Sequence, residues 1–476
     1  MKAIAILLVV CSVAAAQPAP KKDAPAPKPL DPYAEPAAKK TEPKKAEPKK
    51  DEPKKPEPKK DDLKKPAPTN SEPVDPYGPA VPARVGLADV AVVQGLLAVQ
   101  QLDGWLLYDR DGSNPIASRL VAADGHPQRA WFYLIPAKGE PVALVHTSEA
   151  RDFDHLKGKK LTYQGYRDLA KQLAIVLKGV KSVAVEYSPR AAVPNVSRVD
   201  AGTLEMIRAA GVNVRSSDTL VQYTKAIWGD SGRTSHYVAV HHLTELRKEA
   251  LALVVKRVQA HASVTEYDVQ QQIMHGMQIR GLVGPPPVVA AGVNSADPYY
   301  VPTAAKTAEI HQGDLLELAI AVKVDKPEGV YAAQTWVAVV DKIVPDRVQK
   351  TFETVALARD QAIVLVKDRM TKHRPVNGAE VDQATRAFIK KAGLVDQVMH
   401  RTGHSIDNDL QGGGADLDDF EVKDTRSLVP GTGFTVGPGL YLPGQFGLRS
   451  EVSVYLSPSG PEVTTPPQDE VEALLK

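Results

Sequence analysis

The stretch "GFTVGPGLYLP", residues 433–443, runs into "FGLRSEV", residues 446–452, and together they have the pattern of two strands joined through a Pro-Gly corner. The second strand carries a carboxylate, Glu451, and a strand pair of this kind often presents acidic groups to a metal ion. A second carboxylate would be expected just before Pro438, but the residue there is Gly437. The stretch therefore raises the question of whether the chain holds a metal at all.

Length and composition exclude one broad class of function. The chain has 476 residues, which is enough for two domains. Its formal net charge of +2 is close to neutral, whereas general nucleic-acid-binding proteins are strongly basic. Aromatic residues make up only 5% of the chain, which is few for stacking on single strands. We therefore expect no nucleic-acid partner.

Residues 1–16 have the pattern of a cleaved secretory signal peptide, with a positive Lys2, an apolar run and small residues before the cleavage site. The apolar run is short for a membrane span. The only cysteine, Cys11, lies inside it, and the bulky residue before Cys11 disfavours a lipid anchor. We expect a secreted or periplasmic protein. Cleavage after Ala16 would leave no cysteine for a disulfide or a zinc site.

Residues 17–80 consist mostly of Pro, Lys, Glu, Asp and Ala, and residues 39–60 repeat every five positions as "KKTEPKKAEPKKDEPKKPEPKK". Such a segment has too little apolar surface to offset its ordering entropy, so we expect a disordered, extended linker. We interpret it as a spacer that holds the folded part away from a surface, in contact with the cell envelope. Binding of acidic envelope polymers or of a partner domain is the alternative.

The folded part divides into two expected domains. In residues 81–228, apolar runs of strand type alternate with helical patterns, which predicts an α/β domain. Residues 236–476 begin with helical patterns at 243–262 and 265–281. Strands, two further helices and a strand-rich end follow, which predicts an α+β domain with a mostly antiparallel sheet.

Several segments resemble a known family. The stretches "HRTGHSI" (400–406), "LVPGTGFTVGPGLYLP" (428–443) and "FGLRSEVSVYL" (446–456) resemble the closing motifs of the peptidase M24 family, the creatinase, Xaa-Pro aminopeptidase and prolidase group. Residues 313–336 resemble its central strand pair, and residues 292–303 its substrate loop. The resemblance implies a creatinase-like N-terminal domain, a C-terminal domain with the pita-bread fold, and a homodimer.

The peptidases of this family hold two divalent metal ions with Asp, Asp, His, Glu and Glu. On the matching positions this chain keeps His404 and Glu451, but it has Ala319, Ala333 and Gly437 at the other three. Two hard dications about 3.5–4 Å apart need several anionic oxygens to offset their repulsion. We therefore expect no metal cofactor; if the chain is active, the resemblance implies Mn, Co or Zn.

The substrate pocket implied by the resemblance is altered as well. Two histidines that help the family's peptidases act on substrate fall on Tyr299 and Gln411, and neither side chain can shuttle a proton near neutral pH. Arg449 lies two residues before Glu451, so both point to the same side of a strand, and we predict an Arg–carboxylate pair. Arg449 could also neutralise an acidic group of a bound peptide. We interpret His404 as a packed, hydrogen-bonded histidine, with single-metal ligation as the alternative.

Neighbouring polar residues are poorly placed to replace the missing metal ligands. Glu317 faces the same side as Ala319 but lies about 6–7 Å away along the strand, and Gln334 should face the opposite side from Ala333. An acidic run follows His404, and we interpret it as a solvated loop with turn-forming aspartates, with a new metal site as the alternative. The run comprises Asp407, Asp409, Asp416, Asp418 and Asp419.

These observations lead to three functional hypotheses. The first is a catalytically inactive pseudo-peptidase in which the substrate cleft implied by the resemblance binds a peptide or a protein partner. The second is an active Xaa-Pro aminopeptidase or dipeptidase with a rearranged metal site. The third is a metal-free hydrolase in the manner of creatinase, but that chemistry needs a histidine where this chain has Tyr299.

Overall fold

The computed structural model describes residues 90–475 of the chain. The predicted signal peptide and linker, residues 1–80, lie outside the described residues, so the expected domain boundaries there stay predictions. Within the described part, none of the helices combines the length and the apolar character needed to cross a bilayer.

The described N-terminal part contains six strands and five α-helices, in this order: α1 (Val90–Val99), β1 (Gly104–Asp109), α2 (Pro115–Val121), β2 (Trp131–Pro136), β3 (Val142–His146), β4 (Lys159–Tyr163), α3 (Tyr166–Val176), β5 (Ser182–Val185), α4 (Ala201–Ala209), β6 (Asn213–Ser216) and α5 (Asp218–Val221). The strands form one mixed sheet in the order β4-β3-β2-β1-β5-β6. The predicted α/β domain is confirmed.

Side-chain alternation along the central strands builds two apolar layers. Trp105 and Leu107 of β1 face one side, together with residues of α1 and α2, whereas Leu106 and Tyr108 face the other side, together with residues of α3 and α4. Successive strand residues point to opposite faces, so one short apolar run can serve both layers. The sheet is therefore covered by helices on both faces.

The C-terminal part begins with a long helix and continues with strands, in this order: α6 (Asp230–Gln259), α7 (Glu266–Ile279), β7 (Leu282–Val283), β8 (Val288–Ala291), β9 (Leu315–Val324), β10 (Ala332–Val339), α8 (Asp346–Thr371), α9 (Gly378–Lys391), β11 (Ser405–Ile406), β12 (Gly433–Val436), β13 (Gly439–Leu442), β14 (Phe446–Arg449), β15 (Val452–Ser457), β16 (Gly460–Val463) and β17 (Glu472–Ala473). The strand pairs are antiparallel except β10 with β17, so the predicted α+β domain is confirmed.

The helix predicted at residues 243–262 instead spans Asp230–Gln259. Its first turns contain Thr, Ser, Tyr, Val and three His, which are weak helix formers, so local propensity gave little signal there. Tertiary packing compensates, since His236 and Val240 are buried.

Two antiparallel strand pairs meet at the place where the site residues lie. The β9–β10 pair and the β12–β15 pair are joined by a bridge between Thr335 and Glu451. Ser453 Oγ lies 2.9 Å from both the backbone nitrogen and the backbone oxygen of Ala333. This junction brings distant parts of the sequence into one buried region.

Candidate functional site

The five positions at which the resemblance implies metal ligands converge at this junction. Ala319 on β9 lies opposite Thr335, which is the bridge partner of Glu451. The backbone of Ala333 contacts β15 through the Ser453 hydroxyl. Gly437 packs directly on the Glu451 side chain. His404, which precedes β11, lies close enough to Glu451 for their charges to shift each other's pKa.

The side chains at the junction form an internal cluster of ions and hydrogen bonds. The Nε of Arg449 donates to Thr335 Oγ1 at 3.0 Å, and Thr335 Oγ1 donates to Glu451 Oε2 at 2.9 Å. The Arg449 backbone nitrogen donates to Glu317 Oε2 at 2.9 Å. The predicted Arg449–Glu451 pair is confirmed, with 3.8 Å between Nη2 and Oε2. The guanidinium therefore pairs with Glu451, whereas Glu317 is bound by the backbone nitrogen of Arg449.

The pKa shifts in the cluster follow from burial and from Arg449. Burial raises the pKa of Glu317 to about 7, although the Arg449 charge acts in the opposite direction. Burial would also raise the pKa of Glu451, but the charge of Arg449 and the Thr335 hydrogen bond hold it below its usual value. Of the two carboxylates, Glu451 is thus the firmer partner of Arg449.

Glu317 gives the stability of the protein a distinct pH dependence. Its folded-state pKa is raised, so its contribution is fully present below the unfolded value of 4.5 and is lost as the pH rises through about 7. Relative to Glu317→Gln, we expect the wild type to lose about 3 kcal/mol of unfolding free energy over that window. Chemical denaturation at a series of pH values measures this difference. Glu205→Gln, at an exposed position of α4, is the control and should leave the profile unchanged; equal profiles for the wild type and Glu317→Gln would contradict the assignment.

Gly437 has no room for a side chain. A Cβ built there would lie 2.8 Å from both Cβ and Cγ of Glu451, closer than real Cβ atoms approach. The stem of Glu451 thus occupies the space into which a residue at position 437 would extend. A glutamate at this position would require Glu451 to move.

We therefore expect Gly437→Ala to lower the unfolding free energy by about 1–3 kcal/mol through overpacking. Gly95→Ala in α1 is the matched control, because nothing lies within 4 Å of its added Cβ and alanine favours a helix. Thermal and urea unfolding of both variants provide the measurement. If Gly437→Ala were as stable as the control, the Glu451 side chain would be able to shift and make room for the added methyl group, and the prediction of overpacking would be wrong.

Two histidines at the junction are neutral. His404 Nδ1 lies 3.1 Å from the Ser405 carbonyl oxygen, so this nitrogen carries the proton, and burial lowers the pKa of the ring. His400 Nδ1 lies 2.7 Å from the Arg401 carbonyl oxygen, and its Nε2 accepts from the Tyr441 hydroxyl at 2.8 Å. Burial lowers the pKa of His400 to about 4. This geometry agrees with a packed, hydrogen-bonded His404.

Our sequence reasoning missed His400. The signal was present in the sequence, since His400 precedes His404 by four residues within the "HRTGHSI" stretch. The bond from Tyr441 links His400 to the strand β13, on the Pro-Gly corner. It therefore belongs to the same buried junction.

The two other residues of the implied substrate pocket make their hydrogen bonds to residues outside the cluster. Tyr299 is 71% exposed, and its backbone nitrogen donates to Asp297. Gln411 Oε1 accepts from Arg401 Nη2 at 2.6 Å. Within the described residues, no hydrogen bond or ion pair joins Tyr299 or Gln411 to Arg449. The structure thus does not bring the three predicted pocket residues into direct contact.

The acidic run after His404 is not the solvated loop that we expected. Asp407, Asp416 and Asp418 are buried. Backbone N–H groups and cations surround them: Lys225 Nζ lies 2.9 Å from Asp407, and Ser405 N donates to Asp416 at 2.8 Å. Asp418 accepts backbone N–H groups through Oδ1 only, and its Oδ2 lies 3.6 Å from Arg401 Nη1 without a hydrogen-bond partner among the described residues. The interpretation was wrong because local sequence does not reveal these partners, which lie far away in the chain or on the backbone.

The residues present do not fit a pair of divalent metal ions. Only two of the five implied positions carry a donor side chain, and Arg449 places a cation 3.8 Å from one of them. Across residues 90–475, His, Cys, Asp and Glu side chains nowhere come together in a group of three or more suited to a metal ion. Gln334 does not substitute, since it faces away, accepts from Arg247 and donates to the Pro466 carbonyl.

Comparisons with known proteins agree with this architecture. The model of metallopeptidase family M24 matches residues 239–458. The "Probable dipeptidase PepE" of Mycobacterium bovis is 27% identical over 179 residues, which are 36% of this chain and 42% of that protein. The "Xaa-Pro dipeptidase" of Pyrococcus furiosus is 24% identical over 208 residues, 43% of this chain and 55% of that protein. The sequence matches thus span only about half the length of these relatives.

The fold is shared over a longer part of the chain. The crystal structure of dipeptidase PepE from Mycobacterium ulcerans superimposes with a TM-score of 0.63 and 20% identity, over 82% of this chain and 100% of that one. The expected architecture, an N-terminal α/β domain followed by a pita-bread domain, is therefore confirmed. The resemblance to metallopeptidase family M24 is confirmed by the match of residues 239–458 to the model of that family.

Proposed function

We propose that this protein is a catalytically inactive member of family M24 whose cleft binds a peptide or a protein partner. The observation that carries the proposal is the cluster of Glu317, Arg449, Thr335 and Glu451, in which the Arg449 guanidinium pairs with Glu451 and the Arg449 backbone nitrogen binds Glu317. In a metallopeptidase, a bound metal ion lowers the pKa of a water molecule toward neutrality. The donor set of this cluster does not fit a pair of metal ions.

The residues at the cleft suit binding better than proton transfer. Burial keeps His400 and His404 neutral. Both ring nitrogens of His400 form hydrogen bonds with protein groups. Tyr299 offers an exposed aromatic ring for contact with a ligand. Arg449 remains about one-fifth exposed, so its guanidinium can reach a ligand carboxylate.

The active Xaa-Pro peptidase remains the second candidate, because the relatives' names describe dipeptidases. Secretion through the signal peptide, a spacer role for residues 17–80 and a homodimer belong to the same proposal; they rest on the sequence and the resemblance.

The experiment offers the full chain a series of Xaa-Pro dipeptides with added manganese or cobalt and follows product release by chromatography. We expect no turnover above the uncatalysed rate. Calorimetric titration of the same peptides measures binding, and Tyr299→Ala, at an exposed position, should weaken it. Metal-dependent turnover would reject inactivity, and absence of any binding would reject the peptide as the ligand.

A further inference from the structure

A cavity lies between the N-terminal domain and the loop that carries Gln411. It has a volume of about 170 Å³ and is separate from the cluster around Arg449. An apolar cavity of about 150 Å³ can hold a benzene molecule, so this volume suits a ligand of about six to eight heavy atoms.

One side of the cavity is apolar. Ile116 of α2, Val196 and Val221 line it, and all three are buried in the N-terminal domain. The backbone of Gly412 and Gly413 also lines the cavity. A Cβ on Gly413 would lie 3.1 Å from the Lys225 stem and 3.2 Å from Val221 Cγ1, so this loop packs closely on the N-terminal domain. The cavity thus has an apolar side where the two domains meet.

The polar lining is mainly cationic. Arg119, Arg198 and Lys225 line the cavity together with one carboxylate, Asp409. Asp409 is already compensated, because Arg119 lies 3.1 Å and Lys225 3.1 Å from its Oδ2. Lys225 is further engaged by the buried Asp407.

Arg198 differs from the other two cations. Its Nε donates to the Asn195 carbonyl at 3.1 Å, and within residues 90–475 no carboxylate pairs with it. A guanidinium has five N–H donors in a planar fork, so its two terminal nitrogens are available to a planar anion. An uncompensated guanidinium beside an apolar wall matches a carboxylate that carries a short aliphatic chain.

We propose that this cavity is a binding site for a short, branched aliphatic carboxylate. The carboxylate lies on Arg198, and the alkyl group packs against Ile116, Val196 and Val221. Because the walls come from both domains, the bound ligand holds the two domains together. The proposal does not depend on whether the central cleft is inactive.

Isovalerate is the probe, and the uncharged isovaleramide and inorganic phosphate are its comparators. Titration of the full chain, followed by ligand-observed NMR, should give saturable isovalerate binding at least tenfold tighter than binding of either comparator. Arg198→Gln should weaken isovalerate binding at least tenfold. Arg167→Gln is the control, because Arg167 packs over the exposed Tyr166 ring, away from the cavity; its affinity should equal that of the wild type.

Several results would overturn the proposal. They are the absence of saturable binding, equal affinity for isovaleramide, equal affinity for phosphate, and an unchanged affinity in Arg198→Gln. We expect Arg198→Gln to fold like the wild type, because the Arg198 side chain is exposed and makes no ion pair within the described residues. A thermal unfolding curve without ligand verifies that the variant is folded.

Discussion

Lys225→Met should lower the unfolding free energy by about 3–5 kcal/mol, among the largest effects of any single substitution considered. Lys225 and Asp407 are almost fully buried, and Nζ lies 2.9 Å and 3.0 Å from the two carboxylate oxygens. Removing one partner of a buried pair leaves an uncompensated charge in a poorly hydrated environment. Asp409, on the same loop, loses one of its two cations as well.

Urea denaturation followed by circular dichroism measures this loss. Lys248→Met is the matched control, since the Lys248–Glu245 pair is 3.1 Å long but well exposed on α6. Exposed pairs contribute about 0–1 kcal/mol. An equal loss of unfolding free energy in Lys225→Met and Lys248→Met would contradict a stabilising role of the buried Lys225–Asp407 pair.

Arg449→Met is the second substitution with a large expected effect, about 3 kcal/mol. It removes the only cation within 4 Å of Glu451 among the described ion pairs, and Glu451 is buried. Glu317 keeps its bond from the backbone nitrogen of residue 449 but loses the nearby positive charge. The cost reflects two carboxylates left without compensation.

A double variant separates the loss of charge from the loss of packing. Glu451→Gln preserves an acceptor for Thr335 but removes the negative charge, so Arg449→Met combined with Glu451→Gln should be more stable than Arg449→Met alone. A double variant no more stable than the single one would mean that Arg449 acts through packing. Its role as the built-in cation of the site would then be wrong.

The fold was largely accessible from the sequence. The apolar runs of strand type expected in residues 81–228 include β1, β2 and β3, in which side-chain alternation along a strand serves two faces of one sheet. The corner at residues 433–452 formed as expected, with Gly437 at the junction. The start of α6 was the main error, since weak helix formers there depend on packing.

The candidate site could be predicted only in part from the sequence. The identities of the residues at the five implied positions showed that donors are missing, and the strand period placed Arg449 beside Glu451. The partners of the buried aspartates were not accessible. Lys225 lies 182 residues from Asp407, and a pairing over this separation leaves no local pattern. The hydrogen bond from Thr335 to Glu451 was missed for the same reason.

We infer that the junction of β9, β10 and β15 does not accommodate a pair of metal ions. The most direct measurement is the metal content of the purified protein after dialysis against manganese, cobalt or zinc and removal of free ions, determined by mass spectrometry. We predict far less than one tightly bound ion per chain. About two ions per chain, lost when His404 and Glu451 are replaced together, would contradict the claim.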